Sequence, residues 1–160
     1  MVIISHLMPK LIKNSVLSLS LFTLIVLNTF AIASEQVMIN PYKQKISLRL
    51  SITRDQHTKG LSGVKSKDMG LNEGMLFVND SMGPRKFWMP DTYFNLDIVF
   101  LNSALQIVGI EKNVSAHPGL NEPPPIYRTG TYEAQYILET KSGSPFSGRL
   151  KVGDRLEWKK

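Results

Sequence analysis

The stretch Phe87-Trp88-Met89-Pro90-Asp91-Thr92-Tyr93-Phe94-Asn95-Leu96-Asp97-Ile98-Val99-Phe100-Leu101 joins an aromatic–Met segment, through a Pro-Asp-Thr turn, to an apolar run that holds a single carboxylate. A run this apolar and this short predicts a buried strand over Leu96 to Leu101. Asp97 then needs a partner or a purpose, because burying an unpaired charge is too costly to leave uncompensated. Asn102-Ser103 makes a hairpin turn into a following strand, Leu105 to Ile110.

The flanking sequence repeats the pattern. Ile46 to Thr53 alternates apolar and polar residues, the signature of a half-buried strand, and Asp55 to Leu61 suits a helical turn ending at Gly60 or Gly63. Gly74 to Val78 reads as a strand closed by the turn formers Asn79 to Pro84, with a further strand at Lys86 to Met89. Ser115 to Thr131 is a long proline-rich loop, a length that in compact domains goes with function or disorder. Tyr132 to Thr140 resumes as a strand with Tyr132, Ala134, Tyr136 and Leu138 on one face. Ser144 to Gly148 opens one helical turn on Pro145, and Arg155 to Lys159 is a last strand. Such a chain is mainly β with short helices (α+β): a small antiparallel sandwich or a partly closed barrel of about seven strands.

The N-terminus reads as an export signal. Lys10 and Lys13 precede an apolar run from Val16 to Phe30, and Ala31-Ile32-Ala33 fits cleavage after Ala33, with Met1 or Met8 as the start. The expected division is a signal peptide over 1–33, a loosely ordered lead-in over 34–44 and a single domain over 45–160. The expected location is the periplasm or the extracellular medium, with no stable membrane span after cleavage. The chain contains no cysteine, which excludes disulfides, thiol nucleophiles, cysteine-ligated metals and a lipid anchor at the cleavage site. Loss of Lys10 and Lys13 lowers the formal charge of +6 by two, and the remaining basic residues are scattered among acids. No nucleic-acid partner is expected from that distribution.

No catalytic set is complete. Asp91-Thr92 lacks the glycine that an aspartic-protease loop needs third. Ser62-Gly63-Val64-Lys65 matches Ser-x-x-Lys, but Gly63 and Val64 make a poor helix for bringing Ser62 and Lys65 together. His57 and His117 have no ligand-spaced partners, so neither a metal site nor a cofactor is expected, and His117 reads as a solvated loop residue.

The ordered set Gly74-Met75-Leu76-Phe77-Val78, Phe87-Trp88-Met89, Asp91-Thr92, Leu96-Asp97-Ile98-Val99-Phe100, Pro125-Ile126-Tyr127, Tyr136-Ile137-Leu138-Glu139 and Val152-Gly153-Asp154-Arg155 resembles the DUF192 family. The resemblance runs from about Ile46 to Trp158 and implies a small, mainly β domain, often exported, with no established enzymatic activity. Lys59-Gly60-Leu61-Ser62 stands where the family usually has Arg-Gly-Leu-Met. Pro90-Asp91-Thr92 replaces its usual Lys-Asn-Thr, which removes a cation from that turn.

Two function classes follow. The first is a non-catalytic binding or interaction module of the cell envelope, its partner an unidentified envelope ligand or protein. Trp88 and Tyr127 would supply stacking faces, with Asp91, Thr92 and Asp97 as polar anchors under the proline-rich loop. The alternative is a carboxylate-based hydrolase using Asp91 with Asp97, or Asp97 with Glu139, as acid and base. The first makes Asp97 a polar anchor of the ligand site and the second a reacting group; its purely structural role would be to tie down backbone amides beneath the turn.

Overall fold

The computed structural model describes residues 36–159, so the expected export signal lies outside the described residues. The strands are β1 (Gln36–Ile39), β2 (Lys45–Ser51), β3 (Glu73–Arg85), β4 (Leu96–Leu101), β5 (Ile107–Val114), β6 (Tyr132–Lys141) and β7 (Glu157–Trp158). They form one seven-stranded sheet, ordered β5-β4-β6-β3-β2-β1-β7, that curves into a half-barrel. Helices α1 (Arg54–Lys59) and α2 (Pro145–Gly148) are both short. The chain is therefore mainly β with short helices, and of the two expected architectures it adopts the partly closed barrel.

One pairing departs from the antiparallel pattern: β2 and β3 run parallel. Parallel neighbours cannot be joined by a tight turn and need a crossover. The crossover here carries α1 and a 3₁₀ turn (Ser66–Asp68), and its Leu61 and Met69 bury themselves with Phe77, Phe100 and Ile137. Every residue of β4 is buried, at the bounds expected from its apolar run. Leu96, Ile98 and Phe100 pack into the cluster beneath the crossover, while Val99 and Leu101 pack with Leu138 and Phe146 on the opposite face.

Three local expectations are corrected. The lead-in is not loose: β1 pairs with β2 and β7, and Asn40 is buried with its side-chain amide donating to Phe146 O at 2.8 Å. The turn formers after Val78 do not end the strand. Val78 faces Tyr136 and Gly83 faces Ala134, so Asn79 to Met82 form a wide bulge opposite Gln135, whose amide donates to Asn79 O at 3.1 Å. Pairing with β6 on both sides of the bulge holds the chain in one strand. Lys86 to Met89 is not a strand and makes only an isolated bridge, Trp88 to Arg128.

The bulge also changes the phase of β6. Tyr132 and Ala134 pack in the cluster beneath the crossover, whereas Tyr136 and Leu138 pack in the other. The single face expected for these four residues is thus split at Gln135.

Candidate functional site

Helix α1 is brief but well capped. Thr53 Oγ1 accepts from the Gln56 backbone N–H at 3.3 Å, and Gln56 Oε1 accepts from the Thr53 N–H at 3.0 Å. This reciprocal box satisfies donors that a helix start otherwise leaves open. Gly60, at φ 48°, ends the helix in a conformation that disfavours side chains. His57 and Lys59 are thereby presented beside the sheet. His57 Nε2 donates to Ser51 O at 2.9 Å, because a carbonyl can only accept, and the ring leans on Phe77 at 5.8 Å between centroids.

Between α1 and the far end of β3 lies a cleft of about 310 Å³, within the range of small-molecule sites. His57, Lys59 and Ser62 line the crossover side; Arg85 and Lys86 line the strand side. Arg85 is held by the bulge, donating to Ala134 O and Ser81 O. Lys59 and Lys86 are exposed and have no ion-pair partner among the described residues. The apolar wall includes Leu61, Phe77 and Phe87, with Trp88 half-exposed beside them.

Glu139 reaches this cleft from β6. Its neighbours across the sheet are Met75 and Ile98, and it is 4% exposed, with no hydrogen-bond or ion-pair partner among the described residues. Burial alone pushes its carboxyl up to about 8. No cation or donor stands close enough to favour the ionised form, so the group is a neutral carboxylic acid at pH 7 and can donate a hydrogen bond.

The five residues expected to share one site are divided. Trp88 and Thr92 line the cleft. The Thr92 hydroxyl donates to Met89 O at 2.8 Å and accepts from the His117 N–H at 3.1 Å. Asp91, at φ 50°, turns its carboxylate toward Gly63. Tyr127 is drawn elsewhere: its hydroxyl donates to Glu111 Oε2 at 2.9 Å. Asp97 faces the other side of the sheet. It accepts from the Asn113 N–H at 2.9 Å and the Ser147 hydroxyl at 2.7 Å, and lies 3.5 Å from Lys112 Nζ.

The acid pairs of the hydrolase reading are not assembled. Asp97 pairs with Thr140 while Ile98 pairs with Glu139, and directly opposed residues point to the same face, so Asp97 and Glu139 point to opposite faces. Asp91 is likewise separate, because the turn places it beside Gly63 and not against Asp97. His117 is also corrected: it is buried, not solvated, and its Nε2 bonds Asn121 O at 3.0 Å. Ser62 donates to Pro90 O while Lys65 lies over the Tyr93 ring, so this Ser-x-x-Lys is not a dyad. Among the described residues no group of acids and histidines is arranged to hold a metal ion.

Nothing local in the sequence marks Lys59, Lys86 or His57 for this cleft, and Glu139 enters the sequence reading only as a partner of Asp97. The available signal was Glu139 two positions from Ile137 in an apolar strand, an acid on a core-facing phase.

No curated protein matches the chain. Among solved structures, it is similar to a Sinorhizobium meliloti 1021 protein put forward as a transcription regulator. The two are 27% identical with a TM-score of 0.61, over 78% of this chain and 92% of that one. It is also similar to a protein of unknown function from Novosphingobium aromaticivorans DSM 12444. There the identity is 24% and the TM-score 0.60, over 78% and 84% of the two chains, a likeness of fold alone. The DUF192 family model (Uncharacterized ACR) matches residues 36–158, which takes in the half-barrel, the crossover and the cleft with Glu139; the chain belongs to the DUF192 family.

Proposed function

We propose that this protein is an exported, non-catalytic binding module of the cell envelope that holds a small ligand in the cleft over Glu139. One observation carries the reading: a buried carboxyl with no protein partner forms part of the wall of a cleft lined by apolar side chains on one part and by polar and basic ones on another. A buried polar group without a partner destabilises a fold, and such groups in native proteins call for an explanation beyond packing. Placement in a cleft beside aromatic side chains supplies one, since small-ligand sites combine apolar walls with a few polar groups.

The proposed location, periplasmic or secreted, rests on Lys10, Lys13, the Val16 to Phe30 run and Ala31-Ile32-Ala33. Among the described residues no helix is long and apolar enough to cross a membrane. The scattered basic residues argue against nucleic acid as the partner. Hydrolysis is the weaker reading because two facing carboxyls are missing from the cleft.

The test is a thermal-shift screen of the protein against small organic compounds of either charge, sugars and short peptides. A ligand that raises Tm is expected, and Trp88→Ala is expected to abolish that rise while the domain remains folded. If no compound raises the wild-type Tm, the reading fails.

A further inference from the structure

The two ends of the cleft differ in chemistry, and the difference selects a ligand class. At the mouth, Lys59 on α1 and Lys86 after β3 are exposed cations without an ion pair among the described residues, although the Asp91 carboxylate approaches Gly63 from the same side as Lys59 Nζ. Inside, Phe77 and Phe87 meet edge to face at 4.8 Å and form an apolar wall. Beyond them stands Glu139, buried and unpartnered.

We propose that the ligand is a small organic anion with an apolar body. Its negative group lies between Lys59 and Lys86, its body lies along Phe77, Phe87 and Trp88, and an acceptor at its inner end takes a hydrogen bond from the Glu139 carboxyl. This rests on the small-ligand reading above and names the ligand for the same cleft.

The charged and titratable groups facing the cleft are His57 and Lys59 from α1, Arg85 and Lys86 from the β3 end, and Glu139 from β6; Asp91 lies nearby against Gly63. Asp97 and Lys112 belong to the opposite face. The lining thus holds three fixed cations and one acid. That acid keeps its proton at neutral pH because burial opposes its ionisation. A cationic ligand would meet Lys59 and Lys86 first and would then need a carboxylate that the site does not offer. An anion meets attraction at the mouth and a hydrogen-bond donor inside.

Three probes that share an acetylphenyl body separate the possibilities: 4-acetylbenzoate, acetophenone and 4-acetylbenzylamine, each titrated calorimetrically into the protein at pH 6.5 in low salt. The benzoate is expected to bind at least tenfold more tightly than acetophenone, with the amine weakest. In the Lys59→Gln/Lys86→Gln double variant the gap between benzoate and acetophenone should shrink below threefold, while Lys151→Gln, an exposed lysine away from the cleft, should leave it intact. Raising the pH to 8.5 should weaken benzoate binding severalfold in the wild type and not in Glu139→Gln, whose amide still donates. Equal affinities, or a preference for the amine, would overturn the anion inference and leave the small-ligand reading standing. Binding by none of the three, together with a screen that raises Tm nowhere, would sink both.

Discussion

Ile98 on β4 and Glu139 on β6 are direct partners across the sheet, and their side chains share the face beneath the crossover. A carboxyl is therefore flanked by Met75 and Ile98 where the pattern of the sheet calls for an apolar side chain. The neighbouring pair, Asp97 and Thr140, faces the other way and is held by α2. Adjacent rungs thus put one acid in a cleft and the other in a structural clasp.

Glu139 should make the fold less stable as the pH rises. Burial lifts its carboxyl from an ordinary 4.5 to about 8. Between those values the folded state keeps a proton that the unfolded state releases, so the stabilisation is fully present below 4.5 and is lost as the pH rises toward 8. Relative to Glu139→Gln, the wild type should lose on the order of 2–4 kcal/mol across that interval. Denaturant unfolding of both proteins from pH 4 to pH 9 measures the difference in slope. Parallel pH profiles would contradict the assignment.

Glu111 should behave in the opposite sense. Partial burial raises its carboxyl, but donors at Gly130, Tyr127 and Tyr132 together outweigh that effect and lower it below 4.5. Its stabilisation is present above 4.5 and disappears as the pH falls below it. Because the group is only partly buried and solvent screens it, Glu111→Gln should cost only about 1 kcal/mol. The loss should appear mainly as faster amide exchange at Gly130, the residue it anchors at 3.0 Å.

Gly109→Ala should be among the more damaging single changes in the domain. A Cβ there would lie 2.2 Å from the Tyr132 ring, which stacks on Phe100 at 4.3 Å. Forcing that ring aside should cost about 1–3 kcal/mol or more. Gly148→Ala meets nothing within 4 Å and should stay within roughly 0.5 kcal/mol of the wild type. Thermal unfolding of the two variants side by side is the measurement.

Asp97→Ala should cost about 2–4 kcal/mol, since it leaves the Asn113 N–H without its acceptor, takes the nearer acceptor from the Ser147 hydroxyl, which keeps only Ser144 O at 3.4 Å, and removes the carboxylate beside Lys112. Under conditions where the variant is folded, its affinity for a cleft ligand should match the wild type. A loss of affinity larger than the unfolded fraction explains would place Asp97 in the binding site after all.

What was legible in the sequence was what local chemistry decides. Leu96 to Leu101 declares itself by an apolar run, and α2 by Ser144 ahead of Pro145, with Ser144 Oγ accepting from the Phe146 N–H at 3.2 Å. The need to satisfy Asp97 was legible too. Its partners were not, because Ser147 lies fifty residues away and is delivered by α2. The same holds for β3: Asn79 to Gly83 has the composition of a turn, and only pairing with β6 on both sides turns it into a bulge. Glu139 was readable as an acid in an apolar strand. Its side of the sheet was not, since the alternation of β6 changes phase at Gln135. Tyr127 was misplaced for a related reason: Glu111, which captures it, comes from β5.

The placement of Lys59 and Lys86 outside the sheet has an evolutionary consequence. Lys86 follows the strand and Lys59 ends a helix outside the sheet, so neither mouth cation takes part in the strand ladder or the core. Substitutions at these two positions leave the folding determinants Phe77, Ile98 and Phe100 untouched. If the cleft binds a ligand as proposed, a descendant of this scaffold would exchange its preference among ligands without first acquiring a stability reserve, whereas a change at Glu139 would alter recognition and folding together.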